Sequence, residues 1–158
     1  MELPPYHTAS IRSVQHRGIA AVSVRIPVRQ VPAVFSVYLD QVYAAARSGA
    51  IRVDGQNVFV YHGALPDEEA DIAFGVGVAG PFASVGAVAY AVVPSGQVAH
   101  ATHRGAYGRL GETHAAIVAW CASQGRELAG PRWEVYAHQG PNAEQPLTDV
   151  SYLLANSP

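Results

Sequence analysis

The sequence contains no lysine, only one cysteine and no long apolar run, and each of these absences excludes a class of protein. All ten basic residues are arginines, which are scattered along the 158 residues, and the formal net charge is −2. Proteins that grip nucleic acid directly need clustered positive charge to neutralise phosphates. The chain also has no recognisable helix-turn-helix segment, so we expect no direct binding of nucleic acid.

The single cysteine and the first residues bear on the cellular compartment. Cys121 has no second cysteine with which to form an intramolecular disulfide, which fits a reducing cytoplasm. No apolar run approaches the ~20 residues that span a bilayer. Residues Met1–Pro5 lack the basic and apolar regions of a secretory signal. We therefore expect a cytoplasmic protein that does not enter a membrane.

Two stretches of the sequence repeat apolar residues at helical spacing. The first extends over about Pro32–Ser48 and the second over about Tyr107–Gln124. Gly49 and Gly125 follow directly, and glycine favours the left-handed backbone that ends a helix. Each stretch is therefore predicted to be a helix that is followed by a turn and two strands.

Strand-like segments surround the two helices in the same order in each half. The predicted strands are His7–Val14, Ile19–Arg25, Asp54–Tyr61 and Asp71–Phe74, then Ala87–Val93, Val98–Arg104, Ala129–Tyr136 and Asp149–Tyr152. Corresponding features keep a nearly constant spacing along the chain. The sequence therefore predicts one α+β domain over residues 1–158, a pseudo-twofold duplication of a β-β-α-β-β module. Repeat one covers about 7–80 and repeat two about 86–156.

The strand that follows each helix carries the candidate binding residues. Because side chains alternate along a strand, Glu134 and Tyr136 share one face, together with Arg132. Phe59 and Tyr61 are the counterparts of Glu134 and Tyr136 in repeat one. If the two strands meet, these side chains form an aromatic box with one carboxylate, which suits an apolar cation. The alternative is a solvent-exposed Glu134 paired with Arg132 or water, because charged residues are mostly exposed.

The opposite face of the same strands is apolar in both halves. It carries Val58 and Val60 in repeat one, and Trp133 and Val135 in repeat two. Removing an apolar face from water is favourable, so we expect this face to pack under the helices.

The histidines and glycines do not indicate a metal or cofactor site. The tight ligand spacings of zinc sites are missing, and His100 and His103 stand three apart on a predicted strand, hence on opposite faces. No phosphate-binding or dinucleotide-binding glycine pattern is present. We therefore expect no metal and no cofactor, and we interpret His114 as a core or rim residue.

The second half of the chain resembles the GyrI-like family, also described as AraC-type effector-binding domains. The pattern H-x-G-x-Y-x-x-L is met by His103, Gly105, Tyr107 and Leu110. The other similar segments are the helix end Trp120–Gly125, the turn Gly130-Pro131, the strand Trp133–Tyr136 and the strand start Thr148–Val150. These motifs cover about residues 98–154, whereas the first half matches in layout only. Family members include effector-binding domains of multidrug-sensing transcription activators, stand-alone small-molecule-binding proteins and a bacterial gyrase inhibitor.

The resemblance implies a fold of two β-β-α-β-β modules and a ligand that faces Glu134 beside Tyr136. The walls of the site would then come from aromatic side chains, namely Phe59, Tyr61, Trp120, Tyr38 and Tyr107. Two prolines depart from the family pattern: one is displaced to Pro141, and one is absent from Ser151–Leu154. These departures concern loop shape and terminal contacts rather than the fold.

The resemblance implies three alternative functions. The first is a stand-alone protein that binds an apolar compound, cationic or electrophilic compounds included, in order to sense or sequester it. The second is a hydrolase that opens the cyclopropane ring of DNA-alkylating natural products, with Glu134 as a base of raised pKa and Tyr136 as a donor. The third is inhibition of gyrase through a protein contact. A homodimer is left open in each case.

Overall fold

The structure is a computed structural model that describes residues 4–6, 8–63, 69–137 and 146–156. Its strands are β1 (Ser10–Val14), β2 (Arg17–Pro27), β3 (Val53–His62), β4 (Glu69–Val78), β5 (Ala89–Val93), β6 (Gly96–Arg104), β7 (Leu128–Tyr136) and β8 (Leu147–Leu154). Its helices are α1 (Val31–Arg47) and α2 (Leu110–Ser123). A short 3-10 turn precedes each helix, Val28–Gln30 before α1 and Tyr107–Arg109 before α2.

The eight strands of the described chain form one antiparallel sheet in the order β1-β6-β8-β7-β3-β4-β2-β5. This order reads the same from both edges when each strand is exchanged for its counterpart in the other half, so the sheet has pseudo-twofold symmetry. The two halves also exchange their first strands, because β1 pairs with β6 and β5 pairs with β2. β3 and β7 meet at the centre, where Phe59 lies opposite Glu134.

The predicted α+β fold class and both predicted helices are confirmed, with modest changes at the ends. Gly49 and Gly125 have φ angles of 85° and 66°, the left-handed backbone expected after a helix. The second helix is shorter than predicted because its first turn, Tyr107–Arg109, is a 3-10 turn. The strand predicted from His7 is also shorter, and both His7 and Pro141 lie outside the described residues.

Both helices pack on the face of the sheet that carries Phe59 and Glu134. Val42 of α1 lies in one apolar core with Phe59 of β3, and Ile117 of α2 lies in a second core with Val150 of β8. Val150 pairs directly with Glu134, which places both on the same face. In the part of the chain that the structure describes, neither helix combines the length and the apolar character needed to cross a membrane.

The other face, with Val58, Val60, Trp133 and Val135, does not lie under the helices, so that prediction is wrong. It forms a third apolar core made by strands alone. Residues of the edge strands β1 and β5 belong to the same core as those of the central strands, so the sheet curls over this face. Strands twist and coil, and curling therefore buries an apolar face without a helix. Side-chain alternation does not tell which of two apolar faces a helix will cover.

Candidate functional site

A cavity of about 1160 Å³ lies between the two helices, above the centre of the sheet. It exists because α1 packs on β2 and β4 while α2 packs on β6 and β8, so the central strands β3 and β7 stay uncovered. Val31 of α1 and Leu110 and Val118 of α2 give it apolar walls. The floor comes from β3 and β7, with the side chains of Phe59, Tyr61, Arg132, Glu134 and Tyr136.

Glu134 lies in this floor, 5% exposed, and its carboxylate accepts three hydrogen bonds. The hydroxyls of Tyr61 and Tyr136 donate to Oε1 at 3.0 and 2.7 Å. Nε2 of His114 donates to Oε2 at 2.7 Å. The alternative of a solvent-exposed Glu134 is therefore wrong. The sequence left it open because nothing local shows that β3 and β7 are neighbours.

These donors keep Glu134 ionised in spite of its burial. Burial by itself raises the pKa of a carboxyl group. Here the hydrogen bond and the electrostatic attraction of His114, with the hydroxyls of Tyr136 and Tyr61, outweigh burial and hold the pKa of Glu134 below its usual value. The raised pKa expected of a hydrolytic base is therefore wrong for this residue.

His114 stands in the wall of the cavity and connects two site residues. It lies on α2 at helical spacing from Leu110 and Val118, which also line the cavity. Nε2 donates to Glu134, and Nδ1 lies within hydrogen-bond distance of the hydroxyl of Tyr152, 2.7 Å away. Sequence reasoning interpreted His114 only as a core or rim residue. Its spacing along α2 was the signal that could have placed it in the site.

Arg132 is a charged residue of the floor that sequence reasoning did not assign to the site. It is 3% exposed and shares a strand face with Glu134, two positions further along β7. Its guanidinium carbon lies 5.2 Å from the ring centroid of Tyr61 and 5.9 Å from that of Tyr152. Burial lowers the pKa of Arg132, whereas the two tyrosines and the negative charge of Glu134 oppose that shift. An arginine remains charged in any protein environment.

The tyrosines around Glu134 keep their protons at neutral pH. Burial and the negative charge of Glu134 raise the pKa of Tyr61 and Tyr136. Burial also raises the pKa of Tyr152 to about 12, against the attraction of Arg132. The three hydroxyls are therefore hydrogen-bond donors in the folded protein.

Aromatic rings form a continuous line from the mouth of the cavity across its floor. The ring centroids of Phe35 and Phe59 are 5.9 Å apart, those of Phe59 and Tyr136 4.9 Å, and those of Tyr136 and Tyr107 5.6 Å. Phe35 and Tyr107 are 38% and 48% exposed, so they stand at the mouth. Tilted and edge-to-face ring pairs add to the free energy of burial, which favours rigid apolar walls.

Most of the residues predicted to contact a ligand line the cavity, but two do not. Those that line it are Glu134, Tyr136, Phe59, Tyr61 and Tyr107. Tyr38 instead stacks on Phe74 with ring centroids 5.2 Å apart, and Trp120 packs against the apolar core beneath α2. Both were assigned to the walls because they are aromatic residues on helices. Their positions on those helices turn them away from the cavity, so they do not belong to the proposed site.

His103 of the sequence motif has a structural role at the start of α2. It is fully buried, Nε2 donates to the carbonyl of Ala106 at 2.8 Å, and Nδ1 lies 2.7 Å from the hydroxyl of Thr113. These contacts tie the end of β6 to the turn that places Tyr107 at the mouth. Within the described ranges, no three His, Cys, Asp or Glu side chains gather in a way that could hold a metal ion.

Known proteins resemble this chain in sequence pattern and in fold. The family model of the GyrI-like small molecule binding domain matches residues 7–152. The C-terminal domain of EcmrR is similar to this chain, with a TM-score of 0.74 and 15% identity over 96% of this chain and 99% of that one. SAV2435, solved with tetraphenylphosphonium bound, has a TM-score of 0.64 and 9% identity over 94% of both chains. A hydrolase from Listeria innocua has a TM-score of 0.55 and 12% identity over 94% of this chain and 92% of that one.

At identities of 9–15%, the solved structures show only that this chain has the same fold. No curated protein matches the sequence. The family model, by contrast, spans both halves of the chain and includes every residue of the cavity floor. This chain therefore belongs to the GyrI-like small-molecule-binding domain family.

Proposed function

We propose that this protein binds an apolar small molecule in the cavity between α1 and α2, and thereby senses or sequesters it. The observation that carries the proposal is a space of about 1160 Å³ with apolar walls and a few converging polar groups at its floor. Ligand sites of globular proteins have this composition and a similar size. Membership of a family of small-molecule-binding domains supports the same function.

The proposed contact residues divide into two groups. Phe59, Tyr61, Tyr107 and Tyr136 offer apolar ring surface to the ligand. Arg132 and Glu134, with the histidine hydrogen-bonded to Glu134, provide the polar groups that would orient it. The binding mode is thus mostly apolar contact with a small number of directional groups, which is usual for such sites.

Binding without turnover fits Glu134 better than hydrolysis does. A carboxylate that already accepts three hydrogen bonds and has a lowered pKa is a weak base for proton abstraction. The hydroxyl of Tyr136 donates to Glu134, so its proton is already engaged. A cyclopropane-opening hydrolase with Glu134 and Tyr136 as catalytic residues therefore ranks second. Inhibition of gyrase through a surface contact would leave a cavity of this size without a role.

The test is a thermal-shift screen of the full chain against apolar aromatic compounds, neutral and charged, and cyclopropane-bearing natural products. Calorimetry and mass spectrometry follow each hit, and wild type is compared with Glu134→Gln. Glu127→Gln is the matched control, because it makes the same chemical change at an exposed side chain outside the cavity. A ligand present at about a hundred times its Kd stabilises the folded state by about 2.7 kcal/mol.

We expect saturable binding of a compound that is recovered intact. Its affinity should fall at least tenfold in Glu134→Gln, about 1.4 kcal/mol, and stay unchanged in Glu127→Gln. A hydrated product from wild type, and none from Glu134→Gln, would establish the hydrolase instead. If wild type binds none of the compounds, the cavity ligand is refuted and a protein partner becomes the leading alternative.

A further inference from the structure

We infer that the ligand of this cavity is a neutral amphiphile with an oxygen acceptor, rather than an organic cation, because Arg132 already supplies the cavity with a cation. The inference rests on the proposed function and narrows it to one class of compound. It departs from the predicted box for an apolar cation, because that box left out Arg132 although Arg132 shares the strand face of Glu134.

The formal charges of the floor cancel. Among the described residues that line the cavity, Glu134 and Arg132 are the ones that carry a formal charge at neutral pH. They stand two positions apart on one face of β7, about 7 Å along the strand, and are 5% and 3% exposed. His114 adds either no charge or one positive charge. The net charge of this lining is therefore zero or positive, which gives an organic cation no net attraction.

Glu134 has little accepting capacity left for a ligand. A carboxylate offers about four lone-pair sites, and Tyr61, Tyr136 and His114 donate to three of them. A cationic ligand that made more than one hydrogen bond to the carboxylate would have to displace one of these buried donors. A donor left without a partner costs about 1–3 kcal/mol, so the exchange is unfavourable.

Two of the rings that line the cavity already face a cation of the protein. The guanidinium carbon of Arg132 lies within the ~6 Å range of a cation–π contact to both Tyr61 and Tyr152. A second cation at these rings would come close to a like charge in a partly desolvated site, where screening by salt is weak. One ring of the aromatic box, that of Tyr61, is thus already in contact with a cation of the protein itself.

The rest of the lining suits a molecule with an apolar body and one polar end. Phe35, Phe59 and Val118 provide ring and alkyl surface for the body. Arg132 is a donor and never an acceptor, so a carbonyl, ether or phosphoryl oxygen is its natural complement. A neutral molecule also avoids the free-energy cost of moving an ion out of water.

Three arylated compounds of similar size and different charge test the inference on the full chain. Calorimetry measures the affinities of triphenylphosphine oxide, tetraphenylphosphonium and tetraphenylborate for wild type, Arg132→Gln and Arg132→Lys. In wild type we expect the neutral phosphine oxide to bind at least tenfold more tightly than either ion. Arg132→Gln leaves the charge of Glu134 uncompensated, so tetraphenylphosphonium should gain at least tenfold, about 1.4 kcal/mol. Arg132→Lys keeps the positive charge and should show no such gain.

Other outcomes separate this inference from the proposed function. Tighter binding of tetraphenylphosphonium than of the phosphine oxide by wild type would overturn the inference and still support a binding cavity. So would a folded Arg132→Gln that leaves the cation affinity unchanged. Removing one of two buried opposite charges can unfold a protein, and in that case the wild-type ranking decides. If none of the three binds, the inference falls, and the proposed function falls with it only if the broader screen also finds no ligand.

Discussion

Glu134 shows how a residue can be buried and still remain charged. Taking a carboxylate out of water costs several kcal/mol, and three hydrogen-bond donors offset that cost. The donors are themselves held in place, since Arg132 covers the ring of Tyr61 and the hydroxyl of Tyr152 meets His114. Glu134 is therefore a part of the fold as well as of the proposed site.

Replacing Glu134 by glutamine should lower the free energy of unfolding by about 1–3 kcal/mol at neutral pH, because a charged acceptor with three donors is lost. The pKa of Glu134 is lowered in the folded state. Its contribution is therefore present above the ordinary carboxyl pKa of 4.5 and is lost as the pH falls through the folded-state value. The gap between wild type and variant should close below pH 4.5. Urea denaturation at decreasing pH measures it.

The control for this change is again Glu127→Gln, at an exposed position. Its unfolding free energy should stay within about 0.5 kcal/mol of the wild-type value, as is usual for surface substitutions. A gap between wild type and Glu134→Gln that is the same at every pH would show that the folded protein does not lower the pKa of Glu134.

The buried phenols of Tyr61, Tyr136 and Tyr152 should make the protein unstable at high pH. Their pKa is raised in the folded state, so the stability they contribute is complete below the ordinary phenol pKa of 10 and declines as the pH rises beyond it. The decline is about 1.4 kcal/mol per pH unit for each phenol that keeps its proton only when folded. Denaturation curves on both sides of that pH, with tyrosine absorbance, measure it. A flat stability profile there would contradict the raised pKa values.

At the scale of secondary-structure elements, the site depends on where each helix packs. α1 covers β2 and β4, and α2 covers β6 and β8, so the cavity opens over the central strands β3 and β7, on which neither helix packs directly. On the opposite, curled face of the sheet, strands pack directly on one another without a helix, which requires close contacts between them. Small residues on β2 and β4 make that close packing possible.

Gly75 of β4 gives the clearest test of this close packing. A methyl group at Gly75 would lie 2.8 Å from Cδ1 of Ile19 and 3.2 Å from the carbonyl oxygen of Ala20. Overpacking of this kind costs about 1–3 kcal/mol, so Gly75→Ala should lower the unfolding free energy by that amount in chemical denaturation. Gly80→Ala is the matched control, because its added methyl group meets nothing within 4 Å. Equal stabilities for the two variants would show that β4 has room at this point.

At the scale of the whole molecule, the exchange of first strands joins the two halves. β1 of the first half completes the sheet of the second half, and β5 does the reverse. The central pairing of β3 with β7 adds a further connection, and the core on the curled face contains residues from both halves. Neither half could complete its own edge of the sheet alone.

This connection predicts that the described fold unfolds in one cooperative transition. Trp133 lies in the core of the curled face and Trp120 lies on α2, so fluorescence of the two tryptophans reports on different layers. The fluorescence transition and the far-UV circular dichroism transition should coincide in urea. The variant Trp120→Phe, which leaves only Trp133 as a probe, should give the same midpoint for both signals. Two separated transitions would show that the halves unfold independently.

The elements of this protein could be predicted from sequence because their signals are local. Apolar spacing and a terminal glycine mark both helices, and turn residues mark the strands. The site was predictable only in part. Arg132 was missed because its role depends on Tyr61 and Tyr152, which other strands contribute. Tyr38 and Trp120 were assigned to the site by residue type, which does not reveal the direction in which a helical side chain points.

By itself, the sequence determined the fold class, the duplication and the sharing of one strand face by Glu134 and Tyr136, because all three depend on periodicity along the chain. Only the tertiary structure decided that the helices pack on this face, that Glu134 is buried and charged, and that Arg132 is buried against Tyr61 and Tyr152. Burial and pKa depend on what lies opposite a side chain. For Glu134 that is in part Tyr61, which is 73 residues away in the chain and is brought near by the pairing of β3 with β7.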